Sequence, residues 1–165
     1  MLSRLSIRDV VLIEKLDLDF AGGLCAFTGE TGAGKSILLD SLALATGARA
    51  DSSLVRFGAK QLSVSAEFAV SDDNPVFAIL EELGVDFEKG EPLVLRRVVS
   101  ADGKSRAYVN DQPVGAAMLR QIGEELVEIH GQFATHGLLN AATHRDVLDS
   151  YGETSNLKSE TAEAY

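Results

Sequence analysis

Hydrophobic and polar positions alternate at the start of the chain, from Leu2 to Ile7 with Leu5 and Ile7 on one face. Alternation returns over Lys15-Leu16-Asp17-Leu18-Asp19-Phe20, so Val11–Phe20 predicts a second, half-exposed strand antiparallel to the first. Gly22-Gly23 turns the chain into Gly23–Thr28, a short apolar run that suits a buried parallel strand. Residues 37–45 are apolar nearly all round and predict a buried helix, stopped at Gly47. Period 2 resumes over Leu62, Val64, Ala66, Phe68 and Val70. Asn74-Pro75 opens a short helix, Val76–Leu83, and Gly84 closes it. Leu93–Val99 and Arg106–Asn110 flank Asp102-Gly103, the mark of a hairpin. Val114–Ile122 reads as a helix interrupted by Gly123, and Leu126–Ile129 as another buried strand. Ala141–Tyr151 has helical spacing, whereas Thr154–Tyr165 has too few apolar positions to bury itself.

One segment joins a predicted strand to a predicted helix and carries chemistry. Gly29-Glu30-Thr31-Gly32-Ala33-Gly34-Lys35-Ser36 fits G-x-x-x-x-G-K-[ST], the phosphate-binding loop. Its glycines let the backbone wrap an anion with N–H groups turned inward. Lys35 brings positive charge to the β- and γ-phosphates, and the Ser36 hydroxyl suits Mg²⁺. The N-terminal end of the following helix, through Ile37, favours the same anion. The expected ligand is ATP with Mg²⁺.

A phosphate loop binds nucleotide but needs a carboxylate on a neighbouring strand to hydrolyse it. Phe77–Glu82 has an apolar-then-acidic look, but its helical spacing after Pro75 reads as a surface helix. No other segment of the chain qualifies. Gln132, after the strand predicted at Leu126–Ile129, could reach the metal through its amide oxygen or be a plain loop residue. His130, His136 and His144 do not match a standard zinc spacing.

Charge narrows the partners. The net charge is −10. Residues 1–60 hold seven basic and seven acidic side chains, which leaves 15 − 7 = 8 basic and 25 − 7 = 18 acidic in the remainder. Such a surface is poor for DNA phosphates except through a local patch, for which Arg49, Arg56 and Lys60 are the candidates. The only cysteine, Cys25, falls in the predicted buried strand, so a packed thiol is expected. No run is long enough to span a membrane, and a single cysteine fits the reducing cytosol.

LSIRDVVLIEKLDLDF, GLCAFTGETGAGKSILLDSLALATGARAD and EIHGQFATHGLL together resemble the N-terminal part of the RecN family, the SMC-like bacterial DNA repair ATPases. The resemblance implies an α/β P-loop NTPase of the ABC/SMC head type. In that fold an antiparallel β subdomain packs on a parallel core within one mixed sheet. It implies half of a head over residues 1–152 and the start of a coiled-coil arm over 153–165. By resemblance, Gly29–Ser36 hold ATP, Gln132 ligates Mg²⁺, and Arg56 lies near nucleotide or DNA. The signature motif, the acidic strand and the catalytic Glu would come from the C-terminal half of the same head. A second head would dimerise across ATP, and DNA would be the partner of the whole protein, in the cytoplasm. A P-loop kinase would need an Arg-rich lid, which the sequence lacks. A transporter subunit usually carries an aromatic adenine-stacking residue ahead of the loop, and the first twenty residues hold no Tyr or Trp.

Overall fold

Six strands make one antiparallel sheet in the computed structural model, which describes residues 1–28 and 34–129 together with Leu148, Gly152 and Thr161. The strands are β1 (Leu2–Val10), β2 (Ile13–Asp19), β3 (Gln61–Phe68), β4 (Leu93–Ser100), β5 (Ser105–Val109) and β6 (Gln112–Val114), ordered β2-β1-β3-β4-β5-β6. Register follows the hydrophobic pattern: Ile7 pairs with Leu16 on one side and Val64 on the other, and Ala66 with Leu95. Leu62, Val64, Ala66 and Phe68 are fully buried on one face while Ser63 and Ser65 stay half-buried on the other. A one-residue slip would exchange those faces, so burial itself fixes the register.

Three α-helices cover the apolar face: α1 (Gly34–Ala45), α2 (Val76–Glu82) and α3 (Ala116–Leu126). α1 packs on β1, β3 and β4, and α3 packs on β5 and α2. The Asn74 side chain accepts a 2.9 Å bond from Val76 N, which starts α2 where Asn-Pro predicted it. Gly103 takes φ +86° in the β4–β5 turn, as the Asp-Gly signal requires. β6 escaped the sequence reading because Pro113 discourages a strand; at the sheet edge its missing N–H costs nothing.

Four expectations fail. Residues 23–28 form no strand; Leu24 is fully exposed and Cys25 is exposed rather than packed. A parallel strand is stable only when neighbours satisfy its backbone and cover both faces. Among the described residues no strand lies beside this segment, and no strands pair in parallel. The strand expected at Leu126–Ile129 is not one either: α3 runs through Leu126, and 127–129 lie outside any strand. Gly123 does not interrupt α3 but is buried within it. Finally, α1 buries one stripe, Ile37, Ser41, Leu44 and Ala45, and leaves Leu39 47% exposed.

The chain divides into two compact units, Met1–Glu128 and Ile129–Tyr165. In the second, Gly152 N donates to Leu148 O at 2.9 Å, and Leu148 is exposed. Most of the helix expected at Ala141–Tyr151 lies outside the described residues.

Candidate nucleotide site

Helix α1 is fixed at one end and open at the other. At its C-terminal end, Gly47 takes φ +102°, and a Cβ there would collide with the backbone of Arg120 in α3. A Cβ on Gly123 would likewise collide with the Thr46 carbonyl oxygen. Two glycines, one on each side, therefore let α3 lie directly on the end of α1. The Thr46 hydroxyl donates back to Leu42 O at 3.0 Å and Ala43 O at 3.1 Å, which binds the last turn together.

At its N-terminal end, α1 begins with Gly34, Lys35 and Ser36; Gly34 and Ser36 are exposed and Lys35 is half-buried. Ile37, 5% exposed, anchors this turn in the core. The first N–H groups of a helix have no partner within it, and the aligned peptide dipoles add partial positive charge. The first turn carries no acidic residue that would compete with an incoming anion. A Cβ on Gly34 would meet nothing within 4 Å, so the backbone is approachable. An ammonium, a hydroxyl and a helix terminus presented together are the donor set that a triphosphate and its Mg²⁺ require. Gly29, Glu30, Thr31, Gly32, Ala33 and Gln132, also expected at the site, lie outside the described residues.

The candidate DNA contacts share one connection, residues 48–60, but differ in state. Arg49 and Lys60 are exposed. Arg56 is engaged: its guanidinium lies 3.2 Å from Glu14 and 3.8 Å from Asp9. Its backbone is held too, since Arg56 N donates to Asp9 O at 2.9 Å and Val11 N to Leu54 O at 2.8 Å. Asp9 and Val11 sit at φ +53° and +48°, strained for a branched side chain such as valine. Any phosphate reaching Arg56 must compete with two carboxylates.

Two buried polar groups were not singled out from the sequence. Arg97 on β4 is 3% exposed; Nη2 donates to Ser105 Oγ at 3.0 Å, while Nε and Nη1 have no partner among the described residues. Burial pushes its guanidinium below the usual range. Ser41 on α1 is 1% exposed and its hydroxyl is likewise unpaired. Parity was the missed signal: Arg97 shares the face of Leu93, Leu95 and Val99, all buried. Among the described residues no group of three or more His, Cys, Asp or Glu could hold a metal, and no helix is long and apolar enough to cross a membrane.

The AAA domain family matches residues 4–159. The DNA repair protein RecN of Xylella fastidiosa (strain 9a5c) is 39% identical over 153 residues, covering 93% of this chain and 27% of that protein. RecN of Bacillus subtilis (strain 168) is 40% identical over 151 residues, 92% of this chain and 26% of its own length. The chain thus spans about a quarter of these relatives. Among solved structures, the Smc head domain with an extended coiled coil from Pyrococcus furiosus superposes with a TM-score of 0.66 at 19% identity, over 99% of this chain and 44% of that one. That likeness gives the fold: a partial P-loop ATPase domain of ABC/SMC type, in which the antiparallel sheet is one component.

Proposed function

Because the chain belongs to the AAA domain family, we propose that it is the nucleotide-binding half of the ATPase head of a RecN-type, SMC-like DNA repair protein. The observation that carries this reading is α1, held against α3 at its C-terminal end and carrying a half-buried Lys35 and an exposed Ser36 in its first turn. Lys35 would hold the β/γ-phosphates and Ser36 the Mg²⁺, with Gly29–Gly34 wrapping the phosphates. Gln132 would be a further Mg²⁺ ligand. Bound ATP–Mg²⁺ would supply the negative charge through which a second head is drawn in.

The exposed 21–28 segment supports the partner reading. Leu24 is 101% exposed, and Phe27, met edge-on by Phe20 with ring centroids 6.0 Å apart, is still 48% exposed; both are core-type residues. The C-terminal half of the same head would cover them and bring the acidic strand that hydrolysis needs. Residues 1–152 are then the half-head and 153–165 the start of its arm. DNA would be a partner of the whole protein, acting in the cytoplasm, with Arg49, Arg56 and Lys60 as candidate contacts.

Calorimetry with ATP–Mg²⁺ tests the central claim. The chain should bind, and Lys35→Ala should lose the binding by at least about tenfold, the scale of one lost charged contact. Equal affinity in both proteins would remove the assignment. The isolated chain should show negligible phosphate release, since the catalytic carboxylate is expected elsewhere. Turnover that disappears in Lys35→Ala would show that a base lies within these residues.

A further inference from the structure

The sheet and the P-loop helix each bury a polar group that nothing in the described structure satisfies. On α1 the stripe packed in the core is Ile37, Ser41, Leu44 and Ala45, so Ser41 sits in the middle of it. On β4 Arg97 projects from the face that α1 covers, between Val64 of β3 and Ala107 of β5, both buried. Nε and Nη1 of Arg97 are donors only; Ser41 Oγ can accept. An unpaired buried donor is costly, and for a charged group the cost is larger still. Of two orphans on packed elements, one supplies what the other lacks.

α1 is also the element with an asymmetric hold. Gly47 and Gly123 fix its C-terminal end against α3, while its N-terminal turn is the part that would meet the phosphates on the nucleotide reading. A helix pinned at one end can settle or roll slightly when its other end is loaded. Building on the nucleotide reading above, we propose that Arg97 is a positioning residue for the P-loop helix: when α1 seats on bound nucleotide, the Arg97 guanidinium donates to the Ser41 hydroxyl. The bond would tie the loop that holds Lys35 and Ser36 to the middle of the sheet.

The test is a double-mutant cycle in the 165-residue chain, with Ser41→Ala, Arg97→Met and both together. Each is measured for unfolding in urea without nucleotide and for ATP–Mg²⁺ affinity by calorimetry. Without nucleotide, Ser41→Ala should match the unsubstituted chain and Arg97→Met should be at least as stable, because it removes an unpaired buried charge. With nucleotide, each single variant should bind about tenfold more weakly, the scale of one hydrogen bond to a charged group. The double variant should lose no more than the worse single, since one bond is lost once. Ser41→Ala is small enough to fold in any case, so unchanged ATP affinity in that variant alone overturns the proposal. Losses that multiply in the double variant also overturn it, as does an equal coupling in the absence of nucleotide. If the unsubstituted chain binds no ATP–Mg²⁺, the nucleotide reading fails, and this inference fails with it.

Discussion

Gly123 and Gly84 show how differently one residue type is used. Gly84 ends α2 at φ +66° with nothing within 4 Å of a built Cβ, so Gly84→Ala should cost only backbone strain, about 1 kcal/mol. Gly123→Ala drives a methyl into the Thr46 carbonyl and should cost about 3 kcal/mol, with α3 forced off α1. Urea midpoints of the two variants check this; equal midpoints would mean that the α1–α3 contact can relax. In the sequence both glycines read as stops. Only Gly84 is one, because a breaker in the middle of a helix is tolerated where another backbone needs its space. Arg97 was hidden for the opposite reason: charge suggested solvent, while its parity along β4 already placed it inward.

Among the elements, the strands of the antiparallel sheet were legible, whereas two apolar runs read as buried parallel strands are not strands. β1, β2 and β3 carry one apolar and one polar face, and period 2 reports that directly. Residues 23–28 and 126–129 are apolar runs whose state depends on what flanks them, which local pattern cannot supply. Sequence likewise placed Lys35 and Ser36 in a loop running into a helix over 37–45; α1 instead starts at Gly34 and takes both in, and its steadying contact with α3 was not legible. The β1–β2 hairpin carries its own pH response. Asp17 accepts bonds of 2.7 and 2.9 Å from Arg8, and Asp19 one of 2.6 Å from Arg4. Those hydrogen bonds hold both carboxyls below the usual carboxylate range. A depressed folded pKa gives stability that is present above the ordinary value near ~4 and is lost as pH falls through the folded one. Both groups are exposed, so the effect should be small. Asp17→Asn should lower stability slightly at pH 7 and make acid unfolding shallower below about pH 4; an unchanged acid limb would remove Arg8–Asp17 from the account.

For the whole molecule, the exposed thiol of Cys25 would report on the cover proposed for this segment. In the 165-residue chain it should react with a maleimide about as fast as a free thiol. In the intact protein, or with the C-terminal half co-expressed, labelling should slow by about tenfold or more, since buried thiols are inert. Equal rates would leave the 21–28 segment without its proposed partner. The strand order also has a consequence in time. β1 lies between β2 and β3, so residues 20 to 60, the predicted phosphate loop included, leave and return to the two edges of one strand. Those edges are about 10 Å apart, two inter-strand spacings. During synthesis β1 can fold on β2 at once, but its other edge waits for partners as distant as Ala69, 68 residues beyond Met1. The nascent hairpin therefore leaves the ribosome with an open edge, the kind that invites mispairing. The β3–β6 meander, built from near neighbours, should form by itself and then capture the hairpin. Docking these two pieces brings the ends of the 20–60 segment together, so assembly of the sheet and closure of the proposed nucleotide site would be a single late event.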